Sequence, residues 1–147
     1  LLNDQLHLIG LGKRCVVKLD EKKAAGKASR WQGIAEAAAK QSKRGVIPVV
    51  RSPLSFQEAV NLAGDMDVRL IPYELAEDMA HTRSVIEAVK PGQSIAVFIG
   101  PEGGFEEREI QTAISAGIEP VTLGKRILRT ETAGLTVLSW LMYHLEG

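Results

Sequence analysis

A chain of 147 residues is one domain's worth of sequence, long enough to bury a core without covalent staples. Its 45% hydrophobic and 24% charged residues are ordinary globular composition and exclude disorder or a fibrous repeat. Eighteen basic side chains balance eighteen acidic ones, and a net charge of zero argues on its face against a nucleic-acid or anionic-membrane partner.

The balance is uneven along the chain. Residues 13–51 hold eleven Lys or Arg against three acids, net +8, whereas residues 52–119 hold four bases against twelve acids, net −8. Such asymmetry suits a polyanion on one side, and equally a solvated helix face. Cys15 is the single cysteine, so no intrachain disulfide forms and a reducing, cytoplasmic setting is expected, with the thiol as a small buried residue. No apolar run approaches the roughly eighteen residues that span a bilayer, so no membrane partner is expected. The start, Leu1-Leu2-Asn3-Asp4, lacks the basic and apolar regions of a signal peptide and has no Met, as in a fragment of a longer chain.

In chain order, Cys15-Val16-Val17 is a short β-branched run. Ala24, Ala28, Trp31, Ala35 and Ala38 then recur at helical spacing between residues 21 and 42, with Lys22, Lys23, Lys27, Arg30 and Lys40 on the other faces. Residues 46–50 read as a strand, with Pro48 at an edge or end. Ser55 and Glu58 fit a capping box opening a short helix that stops near Gly64. Residues 68–71 form the next strand, ended by Pro72, and residues 75–89 are weakly helical. Residues 95–99 are wholly apolar, as in a strand buried on both faces of a parallel sheet. A helix over residues 105–116 carries Glu106, Glu107 and Glu109 in its first turns, where the helix dipole favours acids. Residues 121–123 are a last short strand, residues 124–132 a polar loop, and the final helix carries Leu135, Leu138, Met142 and Leu145 at heptad spacing, as core or as a dimer seam. The alternation predicts an α/β domain with a mostly parallel sheet and helices on both faces. Ligands then bind at the strands' carboxyl ends, here Pro72 and the loops 100–104 and 124–132.

The common phosphate-binding and catalytic motifs are absent. Gly10-Leu11-Gly12 lacks a third glycine at position 15, and neither Gly12-Lys13 nor Gly124-Lys125 completes a P-loop. His7, His81 and His144 are isolated, so no metal is expected. Two loops stand out. Ile99-Gly100-Pro101-Glu102-Gly103-Gly104-Phe105 places three glycines and an acid between a buried strand and a helix, suiting close approach of a ligand to backbone N–H groups, or a tight turn with Glu102 capping the helix. Leu123-Gly124-Lys125-Arg126-Ile127-Leu128-Arg129-Thr130-Glu131-Thr132-Ala133 mixes charges with apolar side chains, as in a pocket for something flat such as adenine, or a loop that Ile127 and Leu128 pin to the core.

On these two loops, with Arg30-Trp31 and Gln41 with Arg44, the chain resembles the RsmE family of 16S ribosomal RNA (uracil-N3) methyltransferases in the SPOUT superfamily. The resemblance covers residues 14–147. Lys40-Gln41 departs from the family's Glu-Gln, and residues 1–13 do not match the opening of the family's catalytic domain, reading instead as a remnant of an earlier segment. The family's N-terminal PUA-like RNA-binding barrel has no counterpart in the sequence.

The resemblance implies a C-terminal deep trefoil knot, a homodimer, S-adenosylmethionine as methyl donor without a metal, and 16S ribosomal RNA of the small subunit as substrate. It implies donor contacts at Leu70, Ile99, Gly100, Pro101, Gly103, Leu123, Gly124, Ile127, Leu128, Thr132 and Ala133, and RNA contacts at Arg30, Gln41, Arg44 and Arg126. Uridine N3 must lose a proton to become nucleophilic, so a carboxylate base or an anion-stabilising cation is required. Arg129, Glu131 and Arg126 are the matching candidates, with Glu102 an alternative base. A SPOUT enzyme acting on a transfer RNA ribose, and a non-catalytic RNA-binding or ligand-sensing module, are the rival readings.

Overall fold

Ile95–Ile99, five apolar residues in a row, form a strand whose every side chain is buried. Such a strand needs apolar cover on both faces and hydrogen-bonded neighbours on both edges. The computed structural model describes residues 6–10, 21–76 and 78–147 and supplies both. Four strands, β1 (Leu6–Gly10), β2 (Val68–Pro72), β3 (Ile95–Ile99) and β4 (Glu119–Val121), form one parallel sheet in the order β1-β3-β2-β4. The helices are α1 (Glu21–Gln41), α2 (Phe56–Leu62), α3 (Met79–Glu87), α4 (Glu107–Ser115) and α5 (Thr130–Glu146), with a 3₁₀ turn at Ala63–Asp65.

Two compact units divide the chain. In the larger, which holds the sheet and α2–α5, side chains alternate across the strands. Ile71, Ala96 and Phe98 pack with Ala59 and Val60 of α2 and Ile110 and Ala113 of α4. Leu70, Ile95, Val97 and Ile99 pack on the opposite face with Ile86 of α3 and Val137 and Leu141 of α5. The expected parallel sheet with helices on both faces is therefore present. Burial of each large side chain in these layers contributes about 1.5–3 kcal/mol.

Polar contacts tie the helices to the sheet. Arg69 Nη1 donates to the Ala116 carbonyl (2.9 Å) at the end of α4, where a helix favours a cation. Thr82 in α3 is buried; its hydroxyl accepts the Thr122 N–H (2.9 Å) and donates to the Asp78 carbonyl (3.2 Å), anchoring the exit of β4. At the other end of the sheet, Asp67 and Ser94 clasp β2 to β3: the Ser94 N–H and hydroxyl both donate to Asp67 Oδ2 (2.7 Å each).

The smaller unit, within Cys15–Ser55, contains α1 and the segment after it. Gln32 of α1 donates from Nε2 to the Pro48 carbonyl (3.1 Å) and accepts the Val50 N–H at Oε1 (2.7 Å).

Four expectations change. Residues 46–50 are not a strand, because Gln32 takes the backbone groups a neighbouring strand would need and Pro48 has no N–H to offer. Leu6–Gly10, for which the sequence suggested no element, forms a strand in parallel register with β3. Glu102 does not cap α4; Glu106 does, and its N–H is held by Glu109 Oε2 (2.9 Å) in a capping box. The α5 stripe divides: Gly134, Val137 and Leu141 face the core and Leu145 packs beside them, whereas Leu135 and Met142 are exposed. Cys15 and the run 15–17 lie outside the described residues.

Two predictions follow from these contacts. Thr82→Val keeps the shape but leaves the buried Thr122 N–H without its acceptor, and lowers unfolding free energy by about 1–2 kcal/mol, read from urea denaturation. The Ser94 backbone N–H, followed by its hydroxyl, holds the Asp67 carboxyl below its ordinary value of 3.8. The stabilisation is complete above that unfolded-state value and is lost as pH falls through the lower folded-state value. The difference in urea midpoint between wild type and Asp67→Ala is therefore constant near neutral pH and closes in acid.

Candidate functional site

The carboxyl ends of β2, β3 and β4 open into one cleft of about 650 Å³ in the larger unit. Its walls come from three parts of the chain: residues 72–76 and Met79 after β2, residues 99–105 after β3, and residues 122–133 after β4. Each segment leaves a strand end on the same edge of the sheet, where an α/β fold leaves room for ligands.

The first loop is a tight turn. The Gly104 N–H donates to the Pro101 carbonyl (2.9 Å), and Gly104 has φ +72°, a conformation side chains rarely adopt. Gly100 lies so close to the Phe105 ring that a Cβ there would stand 3.0 Å from it. The Phe105 ring lies 6.2 Å from Phe56, itself edge-on to Phe98 of β3, so the loop rests on the core through an aromatic chain.

In the second loop, Gly124 has φ +103° and its N–H donates to the Thr122 hydroxyl (3.2 Å). The Thr130 hydroxyl then donates to the Gly100 carbonyl (2.9 Å). This bond fastens the start of α5 to the first loop, and both residues line the cleft. The two loops singled out in the sequence are thus one site.

Of the expected donor contacts, Ile99, Gly100, Pro101, Leu123, Gly124, Ile127, Leu128 and Ala133 line the cleft. Leu70 is fully buried in the sheet, and Gly103 and Thr132 are not among the lining residues. Ile127 is 83% exposed, so it does not pin the loop to the core and stays open to a ligand.

Of the expected catalytic groups, Arg126 lines the cleft. Arg129 is the N-cap of α5 and Glu131 lies in its first turn; they flank Thr130, are exposed, and are not among the lining residues. Glu102 lines the cleft. Arg30, Gln41 and Arg44 belong to the smaller unit and are exposed.

Sequence reasoning missed Tyr73, Glu74 and Met79, all lining the cleft. Pro72 was the available signal, since it marked a strand end facing the site. Among the described residues no group of three His, Cys, Asp or Glu converges as metal ligands would, and no helix is long and apolar enough to cross a membrane.

An α/β unit with a glycine-lined cleft at its strand ends defines a class that binds small ligands there. Comparison makes it specific: the chain belongs to the RNA methyltransferase domain family, whose sequence pattern matches residues 8–142. It is 38% identical over 136 residues to the ribosomal RNA small subunit methyltransferase E of Bacillus subtilis, covering 90% of this chain and 53% of that protein. It is also 38% identical over 113 residues to the Mesomycoplasma hyopneumoniae protein of that name, covering 77% and 47%. The Neisseria gonorrhoeae ribosomal RNA small subunit methyltransferase E, solved with bound S-adenosylmethionine, superposes with TM-score 0.76 at 34% identity, covering 96% of this chain and 56% of that one. The resemblance to the RsmE family therefore stands, and the chain spans about half the length of the curated relatives it matches.

The Thr130 bond sets a prediction. Thr130→Val preserves shape but frees the Gly100 carbonyl, so amide hydrogen exchange accelerates in residues 100–104 and 123–130, and stability falls by about 1 kcal/mol. Hydrogen-exchange mass spectrometry reads the first effect.

Proposed function

We propose that this chain is the catalytic part of an S-adenosylmethionine-dependent methyltransferase that acts on uridine N3 of 16S ribosomal RNA in the small ribosomal subunit. The observation that carries this reading is the Thr130–Gly100 bond, which joins the two family loops around one cleft. We assign the unit to the SPOUT class with a C-terminal trefoil knot; the juxtaposition of segments thirty residues apart supports that assignment. We place the protein in the cytoplasm, and we read it as a homodimer, which the exposed Leu135, Met142 and Tyr143 of α5 support.

The residues present fit the donor. The volume of about 650 Å³ suits a nucleoside with an amino-acid tail, since small-molecule sites run to roughly 300–1,000 Å³. Ile99, Leu123, Leu128 and Ala133 offer apolar surface to a purine. Gly100 and Gly124 have no Cβ to stand between the ligand and backbone N–H and C=O groups.

When bound, the donor supplies a methyl group on a positively charged sulfur, and the carbon–sulfur bond breaks as N3 bonds the methyl carbon. The chain's own residues position the two reactants and remove the N3 proton. In this reading Glu131, in the first turn of α5, takes that proton and Arg129, its N-cap, stabilises the uridine anion, the two flanking Thr130. Arg126, on the cleft wall, meets an RNA phosphate. Arg30, Gln41 and Arg44 add RNA contacts from the smaller unit.

Mass spectrometry of nucleosides from small-subunit RNA treated with the protein checks the reaction: 3-methyluridine is the expected product. Arg129→Ala and Glu131→Gln each reduce its formation by about a hundredfold or more, the usual scale for an acid–base or anion-stabilising group. Wild-type rates in both variants overturn the catalytic assignment.

A further inference from the structure

The two ends of the cleft differ in chemistry, one marked by Glu74 just after β2 and the other by Met79, the first residue of α3. At one end the Glu74 carboxylate lies against the first loop: a Cβ built on Gly104 would stand 3.4 Å from Glu74 Oε1. At the other end Met79 lies against the second loop, its Cε 3.8 Å from the equivalent point on Gly124. Leu123 and Leu128 add apolar lining to the same cleft. Among the described residues Glu74 makes no hydrogen bond or ion pair, and its charge faces a cleft it shares with Lys125.

Resting on the donor-site reading above, we propose that Glu74 is a donor-binding residue whose carboxylate receives the α-ammonium group of the donor's amino-acid tail. The purine occupies the apolar Met79 end, so the tail extends toward Glu74. An ionised carboxylate is an acceptor only. Of the donor's polar groups, the ammonium alone combines positive charge with N–H donors: the sulfonium has no donor, and the ribose hydroxyls have no charge. Lys125 on the same cleft suits the carboxylate of that tail. A zwitterionic tail is thereby met by one group of each sign.

Calorimetry with three ligands tests the assignment: S-adenosylmethionine, S-adenosylhomocysteine, and 5′-methylthioadenosine, which keeps the nucleoside and sulfur but lacks the tail. Glu74→Gln weakens the first two by about tenfold or more and leaves the third unchanged. Unchanged 5′-methylthioadenosine binding also reports that the variant's cleft is intact. Parallel weakening of all three places Glu74 on the nucleoside half and overturns the proposal. Weakening confined to S-adenosylmethionine places it on the sulfonium and overturns it too, as does no change in any. If the wild-type chain binds none of the three, the donor-site reading itself fails and takes this assignment with it.

Discussion

The burial of β3 on both faces and both edges is the constraint from which the rest of the larger unit follows. Alternate residues of Ile95–Ile99 enter two different cores, one roofed by α2 and α4 and the other by α3 and α5. A strand in that position has no freedom to slip, because a shift of one residue would exchange the contents of the two cores. Its carboxyl end is therefore delivered to a fixed place, and the turn that follows inherits that precision. The aromatic chain from Phe98 through Phe56 to Phe105 extends the same rigidity into the loop.

The site is assembled from this anchored turn outward. The Gly100 carbonyl, one residue beyond β3, is the acceptor that fastens the first residue of α5. The Thr82 hydroxyl performs a related task for β4, gripping the chain at Thr122 just before it enters the second loop. Both loops thus leave the sheet under restraint and remain open only where they face the cleft. Preorganisation of this kind lowers the cost of ordering the site when a ligand arrives.

How much was legible depended on whether a residue's role is local. The strand at residues 95–99 was readable because burial on both faces leaves no polar position in the run. Residues 46–50 have nearly the same composition, yet the amide of Gln32 satisfies Val50 and no ladder forms. β1 escaped notice because its evidence lies in a partner strand distant in sequence. The two loops were readable as motifs, since positive φ at Gly104 and Gly124 demands glycine. Glu74 and Met79 carry no motif; only the return of the chain past the strand ends brings them to the cleft. Arg129 and Glu131 were marked by their motif, but as the opening of α5 they stand beside the lining residues instead of among them.

The strand order has a consequence for how the chain acquires its structure. Leu6 pairs with Ile95, eighty-nine positions later, and Leu70 pairs with Glu119, forty-nine later. No two strands adjacent in the sheet are joined by a tight turn, so each pairing closes a long loop before it gains any ladder bonds. β1 has no neighbour in the sheet until β3 exists, and the cleft is complete only after Thr130 has reached Gly100. Folding of this unit is accordingly non-local: the site closes only once segments far apart in the chain have met.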